Sequence, residues 1–330
     1  MKQFLQKKAK LVFLCMLVLL TCTACANPRG RDGKTLADQI IESEETTIDA
    51  SKINYKDISD KKLKKEIKKN IKDGQYTIQP TTFKNSMSKG WFEGLIVWPI
   101  AQIINLISSK TDAGVGIILT TLLIQMLVFV FTRKSQMSTQ RMQEIQPEIQ
   151  KIQNKYKDKT DERSKMQMAQ EMQNIYQKYD IHPFGSMLIT FIQLPIMMGM
   201  YYATMRSVSV VSGSFMGISL AGTPLDGFKA FDIAYISIYV LMVIFYIVSM
   251  KLPQWLKKWQ DKKDNVKVKK YAQEETNPMA NSMNMSMYFM TAMICIMYIS
   301  WPMAMSFYWL VSSVIRVCQS LILHQVMNKK

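Results

Sequence analysis

A chain of 330 residues could form two soluble domains, but its apolar residues are gathered into blocks, which indicates a membrane protein. The formal net charge of +17 could indicate a nucleic-acid-binding protein. The lysines and arginines instead lie mostly between the apolar blocks, without a zinc-finger, RNA-recognition or helix-turn-helix pattern, so lipid head groups and membrane topology explain them better.

Residues 1–25 have the pattern of a secretory signal peptide, with a basic start and an apolar core from Leu11 to Leu20. The segment ends in LTCTACAN, where small residues precede a cysteine as in the bacterial lipobox. Lipidation is therefore predicted at Cys25, which becomes the mature N-terminus. Two alternatives remain. Lipidation could occur at Cys22, although Thr21 is a poor residue before the cleavage point, or the segment could be an uncleaved signal anchor.

Residues 26–90 are polar and lysine-rich, and we expect an extracytoplasmic tether with one short surface helix between Asp57 and Asp73. The next segment, residues 91–108, is short and aromatic and carries Pro99. It is expected to lie along the outer membrane face as a kinked, interfacial amphipathic helix. The alternative, a sixth membrane crossing, would contradict the membrane topology that the distribution of lysine and arginine favours.

The first predicted transmembrane helix covers residues 114–132, within the run GVGIILTTLLIQMLVFVFTR. An apolar run of about 20 residues spans the hydrocarbon core of a bilayer. Gln125 is the exception in its inner half. A polar side chain inside a membrane helix is costly and usually faces a protein interior or a water-filled cavity, which makes Gln125 a candidate functional residue.

Residues 133–182 turn polar but keep apolar residues at steps of three and four, which predicts a cytosolic antiparallel helical hairpin with a coiled-coil seam. Pro147 should kink its first arm. The seam residues are Met142, Ile145, Ile149, Ile152 and Tyr156 on the first arm, and Met168, Met172, Ile175 and Tyr179 on the second.

Four further spans and their connections complete the predicted all-α, polytopic architecture. The spans cover residues 185–205, 233–250, 283–299 and 303–324; the connections are an external loop, 206–232, a basic cytosolic loop, 251–282, and a basic cytosolic tail, 325–330. Basic residues concentrate in the hairpin, the second loop and the tail, so the positive-inside tendency places these in the cytosol. The chain is thus expected in a bacterial cell membrane with five spans, its N-terminus outside and its C-terminus inside.

Three polar residues on different spans, Gln125, Gln193 and Arg316, are expected about 10–12 Å from the cytosolic end of their helices. Together they would form one polar layer in the inner half of the bilayer. Each has an alternative interpretation. Gln125 could bond a neighbouring helix, Gln193 could cap a carbonyl freed by Pro195, and Arg316 could reach the cytosolic head groups.

The sequence contains no pattern typical of an enzyme, and we expect no cofactor and no metal site. His182 and His324 are isolated at the ends of predicted helices, and HExxH, GxSxG and phosphate-binding loop motifs are absent. The 27 methionines are crowded into the hairpin and into residues 279–305. Flexible, polarizable side chains suit binding of many unlike apolar segments, although gap-filling between helices explains any single methionine equally well.

From about Trp91 onward, the chain resembles the YidC, Oxa and Alb family of membrane protein insertases, in its Gram-positive lipoprotein form. The matching segments are GVGIILTTLLI, MQEIQPEIQKIQNKY, HPFGSMLITFIQLPIMMGMYYA and WPMAMSFYWLVSSVIRVCQSLILHQ. The resemblance implies five helices around a hydrophilic groove that opens to the cytosol and the lipid, along which nascent hydrophobic segments enter the bilayer without ATP. It also implies that the hairpin and tail contact the ribosome or signal recognition machinery, and that the Sec translocon cooperates with some substrates.

One departure from the family concerns charge. The family has an arginine in the first span at the position that here corresponds to Gln125, whereas Arg316 lies at a position that is usually uncharged. We hypothesise that Arg316 restores the charge of the groove from its opposite wall. A paralogue specialised for few substrates, in which that charge is dispensable, is the competing account. Tyr308 and Trp309 match aromatic positions expected to line the substrate path, with ordinary helix packing as the alternative.

Two other functions are consistent with a polytopic membrane protein. A small-molecule transporter would predict inverted repeats and paired broken helices, which the five unequal spans do not have. An assembly factor dedicated to a single membrane complex differs from a general insertase only in its range of substrates.

Overall fold

The structure is a computed structural model, and it describes residues 28–157, 159, 161–181, 183–263, 289 and 291–328. The described part of the chain is mostly helical, as expected for an all-α membrane protein. Three of its helices are long and apolar enough to cross a membrane: Ala113–Met142, Ile233–Gln260 and Met303–Val326. The predicted signal peptide, including Cys22 and Cys25, lies outside the described residues, and so do residues 283–288 and 290 of the predicted span 283–299.

A small α/β segment comes first in the chain, and the long helices follow it. The elements are β1 (Thr35–Leu36), β2 (Thr46–Asp49), β3 (Ile53–Asn54), α1 (Lys61–Asn70), β4 (Ile71–Lys72), β5 (Gln75–Ile78), α2 (Phe83–Lys89), α3 (Trp98–Ser108), α4 (Ala113–Glu144), α5 (Gln146–Lys155), α6 (Glu162–Lys178), α7 (Pro183–Arg206), α8 (Val208–Ser212), β6 (Ser214–Phe215), β7 (Ile218–Ser219), α9 (Pro224–Ala230), α10 (Ile233–Lys263) and α11 (Met303–Asn328). Residues 291–298 are also helical.

These elements form two compact units. The first comprises the chain up to Thr120 together with Gln193–Gly222, and the second comprises Thr121–Ile192 together with the chain from Thr223 onward. Each of the long helices α4 and α7 contributes residues to both units.

The N-terminal segment of the first unit is more structured than the tether that the sequence led us to expect. The one predicted helix is present as α1, and the structure adds five short strands. β1 pairs with β3 in parallel, and β5 pairs antiparallel with both β2 and β4. Strands of two to four residues are too short to produce a recognisable alternating pattern in the sequence, which is why they were missed.

Isoleucines supply most of the core of this segment. α1 turns Ile67 into the core, with Leu63 packed beside it, and two valines of α8 join the same cluster. Asp60 caps α1 by accepting hydrogen bonds from the backbone N–H groups of Lys62 and Leu63, so the helix starts at a defined residue. The buried members of the cluster are Ala37, Ile40, Ile48, Ile53, Ile58, Ile67, Ile78, Val208 and Val211.

Backbone and side-chain hydrogen bonds join the N-terminal segment to the end of α7. Ile41 forms a parallel bridge with Ser207, and its N–H donates to the carbonyl of Arg206 over 2.7 Å. The side chain of Asn105 on α3 donates to the carbonyl of Ile41 over 2.8 Å and is 2% exposed. These bonds satisfy buried polar groups, so the segment is an integral part of the first unit.

The predicted interfacial segment 91–108 is helical, but in two parts. A π-helical turn, Glu93–Val97, precedes α3, and Pro99 occupies the first turn of α3. The π-helical turn runs directly into α3, since the N–H of Trp98 bonds the carbonyl of Glu93, so the missing N–H of Pro99 falls at the junction between the two parts.

The hairpin of the second unit begins as a continuation of α4, which extends through Glu144. The helix stops at Ile145, and α5 restarts with Pro147 in its first turn, where the missing N–H costs no hydrogen bond. α5 and α6 pack through an apolar cluster that contains several of the predicted seam residues. The cluster consists of Ile145, Ile149 and Ile181, with Met142, Met172, Ile175, Tyr176 and Tyr179 packed against it.

Polar contacts reinforce the two arms of the hairpin. The hydroxyl of Tyr156 donates to Glu171 over 2.8 Å, and that of Tyr179 donates to Glu148 over 2.7 Å. The ammonium of Lys155 also bonds Glu171, and together with Tyr156 it holds the pKa of that carboxyl below its ordinary value. The hairpin therefore combines an apolar seam with exposed, charge-assisted bonds.

Candidate functional site

Polar side chains recur along one face of α11 and along one face of α4. On α11 they are every fourth residue, and on α4 they are separated by steps of seven and four, so each set shares one side of its helix. The first set is Ser312, Arg316, Ser320 and His324. The second set is Gln125, Thr132, Gln136, Gln140 and Glu144.

Gln125 meets α11 directly. Its Nε2 donates a hydrogen bond to Ser312 Oγ over 3.2 Å, and the two residues are 7% and 2% exposed. A buried amide paired with a hydroxyl on a facing helix is a typical polar contact between membrane helices. Gln125 is therefore a helix-pairing residue in this structure, which is the alternative that the sequence left open, and it stands next to the turn that carries Arg316.

Arg316 lies one helical turn after Ser312 and its side chain is exposed. Its Nη2 donates to Ser313 Oγ over 3.1 Å, and the guanidinium carbon lies 5.7 Å from the ring centroid of Tyr246 on α10. An arginine over an aromatic face gains a cation–π attraction. These contacts orient the guanidinium between α10 and α11 while leaving much of it accessible.

Gln193 is half-buried on α7 and belongs to the first unit, whereas Gln125 and Arg316 belong to the second. The structure thus brings two of the three predicted polar residues onto neighbouring turns of one helix pair. The third remains a separate prediction from the sequence.

Further along the same helix pair, the structure pairs residues that the sequence analysis did not connect. Gln140 Nε2 donates to the carbonyl of Ser320 over 3.1 Å and to Glu144 Oε1 over 3.3 Å. His324 Nδ1 lies 3.3 Å from the same Glu144 oxygen, and their side chains are only 8% and 14% exposed. The interpretation of His324 as isolated was therefore wrong. The fourfold spacing on both helices was the signal that could have predicted this polar seam.

Tyr308 and Trp309 lie in a packed aromatic cluster of the second unit. They are 1% and 4% exposed. The ring of Trp309 stacks on Tyr298 with centroids 3.4 Å apart and planes inclined by 12°, and Trp301 lies 5.1 Å away. Such burial supports the packing alternative for both residues rather than a position on the wall of a substrate path.

The bond between Gln125 and Ser312 predicts a measurable contribution to stability. Ser312→Ala should lower the free energy of unfolding by about 0.6–1.7 kcal/mol, because the buried Gln125 amide then loses its acceptor. The measurement is unfolding of the full chain in lipid–detergent bicelles by a denaturing detergent.

Ser306→Ala is the matched control for this prediction. Ser306 is also on α11 and fully buried, but its Oγ has no hydrogen-bond partner among the described residues. Its removal should leave stability unchanged or improve it. Equal losses in the two variants would show that the bond between Gln125 and Ser312 contributes nothing.

Comparisons with known proteins place these helices in a family. Residues 105–330 match the family model described as 60Kd inner membrane protein. The chain is 30% identical over 237 residues to membrane protein insertase YidC 1 of Streptococcus pyogenes serotype M6, covering 72% of this chain and 75% of that protein. It is 27% identical over 238 residues to membrane protein insertase MisCA of Bacillus subtilis, covering 72% and 80%. The corresponding values for membrane protein insertase YidC of Enterococcus faecalis are 30% over 237 residues, covering 72% and 76%.

Proposed function

This chain belongs to the YidC/Oxa/Alb family of membrane protein insertases, and from that premise we propose that it moves nascent hydrophobic segments from the cytosol into the bilayer through a hydrophilic groove beside Arg316 on α11. It is a multi-pass bacterial membrane protein that functions as a membrane insertase. The sequence expectation of such a function is confirmed by the relatives' names.

The proposed architecture has five spans, an external N-terminus that is lipid-anchored at Cys25, and a cytosolic C-terminus. α4, α10 and α11 are three of the spans, and we assign the other two to α7 and to the segment 283–299. Support comes from the basic residues of the hairpin, of residues 251–270 and of the tail, which favour the cytosolic side. The groove would lie beside Arg316, where α10 and α11 meet, and would open to the cytosol.

The observation that carries the proposed mechanism is the exposed guanidinium of Arg316. It is the only charged residue in the sequence from Met303 to Leu323, and its contacts with Ser313 and Tyr246 orient it without enclosing it. A charge inside a membrane helix is tolerated where it faces protein or water, so such a residue marks a functional site by default. We therefore assign to Arg316 the positive charge that Gln125 cannot supply.

The energetics of this mechanism require no catalytic residue and no cofactor. Polar groups and water along the groove would lower the cost of carrying a polar flank into the membrane. Entry of the apolar segment into the lipid would supply the driving force. Gln193 would add to the groove from α7 in the proposed architecture. Tyr308 and Trp309 enter the mechanism as packing residues that hold α11 in place.

We further propose that the hairpin and the basic tail receive substrates from the ribosome or the signal recognition machinery, with the Sec translocon cooperating for some of them. The apolar seam of α5 and α6 is buried within the hairpin, and its outer surface is mostly charged and polar, with Met166 exposed among these residues. Such a surface suits a charged partner.

A dedicated assembly factor is the second candidate, and the neutral bond between Gln125 and Ser312 favours it, because a groove without the family's arginine could serve few substrates. Depletion of the protein followed by proteomics of the membrane fraction separates the two functions. Loss of many membrane proteins with short exported tails is expected for the insertase, and loss of a single complex for the assembly factor. An unchanged membrane proteome would contradict both.

A further inference from the structure

Helix α1 in the N-terminal segment is unusually rich in lysine. Its ten residues include six lysines and one acidic residue, Glu66. Leu63 and Ile67 form its apolar stripe, and both pack into the core of the segment. The remaining surface is a face of ammonium groups, which we call the lysine face: Lys61, Lys62, Lys64, Lys65, Lys68 and Lys69.

The fold gives no reason for this density of charge. Like charges three or four residues apart on a helix repel, and the pairs Lys61–Lys65 and Lys65–Lys69 are of this kind. Lys68 and Lys69 do complement the negative end of the helix dipole. Among the described residues, however, no lysine of α1 forms an ion pair. Lys64 also donates a hydrogen bond to the carbonyl of Lys56. These contacts leave most of the repulsion within the lysine face uncompensated inside the protein, which points to an external partner.

The position of α1 indicates which partner is near. Ile67 belongs to the same apolar cluster as Val208 and Val211 of α8, which directly follow the end of α7. The bridge between Ile41 and Ser207 fixes the segment to the same point. Since α7 is a proposed membrane span, this cluster lies where that helix leaves the bilayer, and α1 is held close to the membrane surface.

We propose that the lysine face of α1 binds the anionic phospholipid head groups around the outer end of α7. The proposal rests on the proposed crossing of α7 and goes beyond the insertase activity. Because the apolar stripe is already buried in the protein, α1 cannot insert into the lipid as an interfacial amphipathic helix does. The attraction is instead electrostatic and acts within about 8–10 Å of the surface at moderate salt.

The test uses the full chain in lipid nanodiscs of two compositions, phosphatidylcholine alone and phosphatidylcholine with one third phosphatidylglycerol. Acetylation of each lysine is followed by mass spectrometry. We expect the α1 lysines to react about threefold more slowly in the anionic discs, because a negative surface covers the amines and favours their charged form. The difference should vanish at high salt, and the exposed Lys165 in the first turn of α6 should react equally in both, because the hairpin holds it away from the bilayer in the proposed architecture.

Two triple variants sharpen this test. Replacing Lys61, Lys65 and Lys69 by glutamine should abolish the protection of the remaining α1 lysines. In the matched variant, Lys56, Lys72 and Lys84 are replaced, which removes the same charge from exposed positions outside α1. The α1 lysines of this variant should stay protected.

Three results would overturn the proposal: equal acetylation rates in both discs, equal protection of Lys165, or protection only by an added soluble poly(glycerol phosphate). Hydrogen exchange of the α7 backbone in the same discs checks the membrane placement separately. Slow exchange of α7 in both lipids together with unprotected α1 lysines would refute the lipid contact and leave the proposed topology intact.

Discussion

Arg316→Ala should reduce the insertion of a membrane segment with an acidic flank about tenfold, which corresponds to about 1.4 kcal/mol of lost charge stabilisation. Moving a carboxylate through the inner half of the bilayer is costly, and a nearby guanidinium offsets part of that cost. Arg316 supplies a positive charge on α11 in the inner half of the bilayer in the proposed architecture, and its side chain is exposed. The same substrate with asparagine in place of aspartate should be inserted almost normally.

The measurement is insertion into proteoliposomes that contain the purified full chain, with the two substrates compared side by side. Arg316→Lys keeps the cation and should retain most activity, whereas Arg316→Gln keeps length and polarity and should not. The double variant Gln125→Arg, Arg316→Ala should recover acidic-flanked insertion, because position 125 faces the turn of α11 next to residue 316. Full insertion by Arg316→Ala, with no gain in the double variant, would refute the relocated charge.

Arg206→Ala should destabilise the first unit by about 3–5 kcal/mol, the usual cost of leaving one partner of a buried ion pair alone. The guanidinium of Arg206 pairs with Glu93, and the side chains are 4% and 15% exposed. Its Nε also donates to the carbonyl of Gln39 over 2.6 Å. Lys89 lies in the same environment, where burial and the charge of Arg206 lower the pKa of its ammonium. This cluster joins the segment before α3 to the end of α7.

Hydrogen exchange of residues 28–82 in the full chain measures the effect, since loss of the anchor should expose the backbone of the N-terminal segment. Arg31→Ala removes an exposed arginine of the same segment and is the control, with no expected change. The double variant Arg206→Met, Glu93→Gln removes both charges while keeping volume and should be less destabilised than Arg206→Ala. Normal exchange in Arg206→Ala would show that the ion pair does not hold the segment.

The predictability of the fold from sequence follows the range of the interactions. The long helices could be predicted because hydrophobic length and three-to-four periodicity are local properties. The α/β segment was missed because its strands are very short and its core joins Ile67 to Val208, which are far apart in the chain. No local pattern around Ile67 or around Val208 indicates that the two residues are in contact.

The candidate site shows the same division. Gln125 and Arg316 stood out because a polar residue inside an apolar run is locally conspicuous. Ser312 did not, since serine is common in membrane helices and becomes informative only when a partner faces it. The pairing of His324 with Glu144 required the register of α4 against α11.

By itself the sequence determined that this is a polytopic, helical membrane protein of the insertase family, because the length of the spans, the distribution of charge and the order of the motifs can be read directly from the order of residues. Only the tertiary structure decided which polar residues act together. Gln125 and Ser312 are 187 positions apart, and their bond depends on how two helices pack. It also decided that the lysine-rich segment is a folded part of the first unit, because its core is completed by residues that follow α7. Hydrogen bonds and packing depend on distance in space, which the order of residues does not specify.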